Sequence, residues 1–113
     1  MASTIDPDVI QELRDIMEDE FDMLLETYLT DAVLKFETLD SAIESKDKDQ
    51  MREAAHSLKG SSSNIGAIPL SGLCSNIEVL ARENQISEAE TIIKGAHAEF
   101  VRVRTELENR ISH

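Results

Sequence analysis

The chain has no Trp, one Tyr and three Phe among its 113 residues, so it lacks the aromatic platform on which nucleic-acid bases stack. Positive charge is also scarce. Eleven Lys and Arg stand against twenty-three Asp and Glu, a formal charge of −12, which repels phosphate backbones and anionic membranes alike. Cys74 is alone and has no disulfide partner within the chain, as suits a reducing cytoplasm. No apolar run approaches the roughly 20 residues that span a bilayer. The amino terminus, MASTIDPDVI, has neither the basic nor the apolar region of a secretory signal. These absences lead to the expectation of a soluble, cytoplasmic protein that engages neither nucleic acid nor membrane. The length fits a single domain, 1–113, with a core that needs no disulfide or structural metal.

Alternating apolar and polar residues, the mark of a strand, are missing as well; apolar positions recur instead at three and four. The chain therefore reads as all-α. Asp6 as N-cap and Pro7 at the first helical position open a short helix, about 7–17, with Val9, Ile10, Leu13, Ile16 and Met17 along one side. After the acidic stretch Glu18–Glu20, the stripe Phe21, Leu24, Leu25, Tyr28, Leu29, Ala32, Phe36, Leu39 and Ile43 predicts a long core-facing helix. Asp47 is the N-cap expected for a third helix containing Met51, Ala54, Ala55 and Leu58. Pro69 marks the first turn of a fourth, with Leu70, Leu73, Cys74, Ile77, Leu80 and Ala81 inward and an end near Asn84. Ser87 and Glu90 fit a capping box for a last helix that turns Ala89, Ile92, Ile93, Ala96, Phe100, Val103, Leu107 and Ile111 to the core. Four substantial amphipathic helices with short connections predict an antiparallel four-helix bundle over about 19–112, with the first short helix across one end.

One segment conflicts with this pattern. Gly60, Ser61, Ser62, Ser63, Asn64 and Gly66 are poor helix formers, and propensity alone ends the third helix near Lys59. Close approach of a neighbouring backbone could instead hold these small residues in a helix.

At about 100° per residue, His56 lies roughly 160° from Leu58 and so faces away from the core stripe. Lys59 and Gly60, three and four residues on, share its face, and Ser63 continues the line by another turn. A solvent-facing imidazole, with a reference pKa near 6.5, is mostly neutral at cytoplasmic pH and has one ring nitrogen with an available lone pair. It is a nucleophile. A phosphoryl group on it would meet the Lys59 ammonium in a charge-assisted hydrogen bond, and Gly60 would give a partner's active site clearance. Gly60 also admits a second reading, as a packing glycine against another helix. The chain has no Gly-rich phosphate loop with a following Lys, no paired acidic metal site near His56 and no nucleotide-binding strand-turn-helix unit. It can hold a phosphoryl group but has no means of taking one from ATP, so it is not expected to be an autonomous kinase.

The run Ala55-His56-Ser57-Leu58-Lys59-Gly60-Ser61-Ser62-Ser63-Asn64-Ile65-Gly66-Ala67 resembles the signature of the histidine-containing phosphotransfer (HPt) domain of two-component phosphorelays. Asp47 or Asp49 ahead of it, and Leu70, Leu73, Cys74, Ile77 and Glu78 after it, extend the likeness over nearly the whole chain. The resemblance implies a four-helix bundle with His56 in the middle of the second bundle helix, running on to about Ile65 against the propensity reading. It also implies that His56 is phosphorylated and that Lys59 stabilises the charge. Gly60, Ser63 and Arg52 would belong to the docking surface, with an apolar patch from the first short helix and the second. The implied partners are receiver domains of hybrid histidine kinases and response regulators, which bring their own Mg²⁺; the chain itself needs no cofactor.

A helical adaptor without covalent chemistry, or a metal-dependent enzyme with His56 as ligand, would share the composition but leave the H-x-x-K-G-S-S context unexplained. His97, beside the last helix's stripe, and His113, at the terminus, are expected to be without function. Neither has a second ligand at zinc-binding spacing. Cys74 reads as a small core residue. The initiating Met and the closing helix suggest a free-standing protein, and the need for an exposed His56 suggests a monomer.

Overall fold

The computed structural model describes residues 3–111; His113 lies outside them. Five α-helices are found among these residues: α1 (Pro7–Met17), α2 (Phe21–Ser45), α3 (Lys48–Asn64), α4 (Ile68–Arg82) and α5 (Ile86–Arg110). The Asp6 carboxylate accepts from the Asp8 amide at 2.9 Å and caps α1, with Pro7 in the first turn. The acidic stretch Glu18–Glu20 forms a 3₁₀ turn that redirects the chain into α2. Links of two or three residues then join α2 to α3, α3 to α4 and α4 to α5, too short for anything but antiparallel neighbours. The architecture is the all-α bundle with an added N-terminal helix that the periodicity predicts.

The apolar stripes meet in one core. Leu25, Leu39, Met51, Leu58, Leu70, Ile77, Ile93, Val103 and Leu107 are fully buried within it, and Cys74 is buried there as expected. Ile16 departs from the reading of α1: it is 68% exposed, and Ile10 is the buried residue of that helix. His97 also has a place. Its Nε2 lies 2.9 Å from an Asp40 carboxylate oxygen, and its ring is 4.6 Å, centre to centre, from Phe36, so it ties α5 to α2.

Two local readings of helix boundaries give way. The third helix continues past Lys59 to Asn64, as the family resemblance implies and against propensity alone, because its poor helix formers are used by the tertiary structure. Ser62 is fully buried and shares a 2.7 Å hydrogen bond with the Tyr28 hydroxyl of α2. The Ser71 hydroxyl of α4 donates to the Lys59 carbonyl at 3.0 Å. Gly66, at φ +86°, then closes α3, with its amide donating to the Ser63 carbonyl and the Ala67 amide to the Ser62 carbonyl, the Schellman pattern. The Ser87–Glu90 capping box does not form. Helix α5 starts at Ile86 with Gln85 as N-cap and no side-chain cap bond. The same Schellman pattern ends α4, with Asn84 at φ +60° and the Gln85 amide donating to the Leu80 carbonyl, so the new helix begins before Ser87 can cap it.

Candidate functional site

His56 projects from the middle of α3 with 65% of its side chain exposed, as the helix phase predicts. Its ring is not loose. Nδ1 lies 3.0 Å from Oε2 of Glu78 on α4, a carboxylate whose side chain is only 8% accessible. Lys59, one turn beyond His56, places Nζ 2.7 Å from Oε1 of the same carboxylate. Arg82, one turn beyond Glu78, donates through Nη2 to Oε2 at 3.2 Å. Lys59 holds the Glu78 carboxyl below its ordinary pKa, with help from His56 and against the opposing effect of burial. An ionised carboxylate only accepts hydrogen bonds, so Nδ1 is the protonated nitrogen of the neutral ring and Nε2 keeps its lone pair.

The residues singled out from sequence fall into two groups. His56 and Lys59 are joined through Glu78. Arg52, Gly60 and Ser63 share the exposed side of α3 but stand apart from that cluster; the Arg52 guanidinium is 4.0 Å from Glu53. A Cβ at Gly60 would meet nothing within 4 Å, so the packing-glycine reading fails and the position is open to an approaching surface. Among the described residues no group of three or more His, Cys, Asp or Glu could hold a metal ion, and no helix is long and apolar enough to cross a membrane.

Sequence reasoning missed Arg82 and gave Glu78 no role. A signal was present: Glu78 directly follows Ile77 on the apolar stripe of α4 and has an arginine four residues on, an acid set at the margin of a core that needs a partner.

Helical bundles that raise one nucleophilic imidazole from a helix face form the class of histidine phosphotransfer proteins. The family signature of the Hpt domain matches residues 23–112, and the chain belongs to that family. It is similar over 97% of its length to 96% of histidine-containing phosphotransfer protein B of Pseudomonas aeruginosa, at 34% identity and a TM-score of 0.94. A search of curated proteins finds no match. Hpt domains are phosphoryl carriers and not kinases, and the chain has a histidine phosphotransfer role in phosphorelays.

Proposed function

We propose that the chain is a cytoplasmic, monomeric phosphorelay intermediate that acts as a single domain and carries its phosphoryl group on Nε2 of His56. It accepts the group from a receiver-domain aspartate, typically of a hybrid sensor kinase. It passes the group to, or takes it back from, the receiver domain of a response regulator. The observation that carries this reading is the His56 side chain, largely exposed on α3 and engaged at Nδ1 by Glu78.

In the transfer, the Nε2 lone pair forms a bond to phosphorus as the bond from phosphorus to the aspartyl oxygen breaks, and the electron pair leaves on the partner's carboxylate. The receiver supplies Mg²⁺ and most of the electrostatic stabilisation. Lys59, 34% exposed in its side chain, turns from Glu78 to the incoming phosphoryl oxygens. Gly60 and Ser63 let the partner's surface close over the ring, and Arg52 meets its acidic rim.

The test is incubation of the protein and its His56→Gln variant with a phosphorylated receiver domain and Mg²⁺, followed by intact mass at neutral pH. Wild type alone gains one acid-labile phosphoryl group. Failure of both proteins with several receivers would leave the adaptor reading in its place.

A further inference from the structure

We infer that Tyr28 of α2 and Ser71 of α4 are positioning residues for receiver docking, holding the last two turns of α3 as a preformed helical shelf for the incoming partner. The inference rests on the reading of His56 as carrier and of Gly60 and Ser63 as docking positions. Gly60, Ser61, Ser62, Ser63 and Asn64 form an unbroken run with no strong helix former in it. Such a run at the end of a helix opens readily. Its internal side-chain contact, from the Ser61 hydroxyl to the Leu58 carbonyl at 3.3 Å, ties it to nothing outside α3. Two contacts from neighbouring helices do. On the buried side, Ser62 has no exposed surface and shares a 2.7 Å hydrogen bond with the Tyr28 hydroxyl. Towards α4, the Lys59 carbonyl accepts from the Ser71 hydroxyl at 3.0 Å. The segment is thus tied to the helices on both sides of α3, while Gly60 and Ser63 stay exposed.

The two ties bear on docking and not on the nucleophile, because the His56 ring is held separately, by Glu78. A partner that closes over Gly60 and Ser63 meets a surface already in its bound form. Were the segment open for part of the time, the partner would bind only the closed fraction, and its apparent dissociation constant would rise by the reciprocal of that fraction. Loss of the Tyr28 hydroxyl has a second effect, since it leaves the buried Ser62 hydroxyl without this partner and favours conformations that turn it to water. In the docked complex the segment is closed whatever its free-state equilibrium, so the transfer rate at saturating receiver is independent of both ties. Tyr28 and Ser71 therefore act through α3, on the concentration of receiver that the reaction requires.

The test follows phosphoryl acceptance by rapid quench at increasing concentrations of a phosphorylated receiver domain with Mg²⁺, at a temperature where circular dichroism shows each variant folded. Tyr28→Phe combined with Ser71→Ala should need about three- to tenfold more receiver for half-maximal rate, with a maximal rate within about twofold of wild type. Amide exchange over residues 62–66 should accelerate in parallel. Ser71→Ala alone should show a smaller rise, and Ser71→Thr, which keeps the hydroxyl, should lie near wild type; this pair makes the same comparison where the double variant does not fold. Ile93→Ala removes a fully buried side chain from α5 and costs global stability, yet should leave the half-maximal concentration where it is. A receiver requirement unchanged in the variants that lack a tie, one that rises equally in Ile93→Ala, or a loss confined to the maximal rate overturns the inference while leaving His56 as carrier. A wild type that accepts no phosphoryl group from any receiver sinks the carrier reading, and this inference falls with it.

Discussion

Glu78 combines features that rarely coexist in one side chain: it is almost wholly buried, ionised, and in contact with three donors. Its contribution to stability depends on pH with a definite sign. A carboxyl whose folded pKa lies below its unfolded value stabilises the fold above the unfolded pKa, near 4.3 for Glu. That stabilisation is lost as pH falls through the folded value. Wild type should therefore exceed Glu78→Gln in urea midpoint at pH 7, and the gap should narrow as the solution is acidified below about pH 4.5. A gap constant from neutral to acid pH would mean that the carboxylate is not specially stabilised. At Tyr28, burial pushes the phenol well above its ordinary pKa, so the hydroxyl stays protonated and available to Ser62. Tyr28→Phe leaves the buried Ser62 hydroxyl without this partner and should cost about 1–3 kcal/mol in chemical denaturation. Adding Ser62→Ala should recover part of that loss, because the orphaned hydroxyl is then gone.

At the scale of elements, the decisive feature is the last two turns of α3. Their composition belongs to a loop, but their position is between α2 and α4. Ser62 bonds to α2, Ser71 of α4 bonds to the Lys59 carbonyl, and Gly66 closes the helix in the left-handed region. The same closure anchors the first helix, since the Asp6 amide donates to the Gly66 carbonyl at 2.8 Å. A Cβ at Gly66 would lie 3.0 Å from Cβ of Val9. Gly66→Ala should therefore destabilise the protein by about 1–3 kcal/mol through backbone strain and displacement of Val9. Amide exchange in α1 should accelerate more than in α5. Equal acceleration in both helices would remove Gly66 from its role as the tie between α1 and the bundle.

Across the whole molecule, the core and the charge pull in opposite directions. A continuous core of side chains from all five helices holds the bundle, and truncating one fully buried member should be felt globally. Leu58→Ala should cost about 2–5 kcal/mol, with one cooperative loss of helicity on denaturation. The net charge of −12 opposes compaction, so raising salt from about 20 mM to about 300 mM should lift the thermal midpoint by screening that repulsion. Within this anionic chain, Arg52, Lys59 and Arg82 gather near His56. If Arg52 docks the partner as proposed, reversing its charge outside the Glu78 cluster, Arg52→Glu, should slow association with a receiver domain, and most strongly at low salt. A rate insensitive to both the substitution and the salt would remove Arg52 from the docking surface.

The sequence by itself determined the periodic part of the protein. Apolar residues at three- and four-residue spacing, with Asp6, Pro7, Asp47 and Pro69 as start signals, specify five helices, and the same periodicity turns His56 to solvent and sets Lys59 one turn away. These are properties of one helix at a time, which is why they can be read along the chain. Tertiary structure decided what depends on two helices at once. The Gly-Ser segment stays helical because α2 and α4 supply partners for Ser62 and the Lys59 carbonyl, and α5 starts ahead of its apparent capping box because α4 ends in a left-handed turn. Glu78 meets His56 across 22 positions of sequence because α3 and α4 pack antiparallel. Local propensities are worth about a kcal/mol or less per residue, so a buried hydrogen bond or a packed interface outweighs them, and no pattern within a single helix records such a contact.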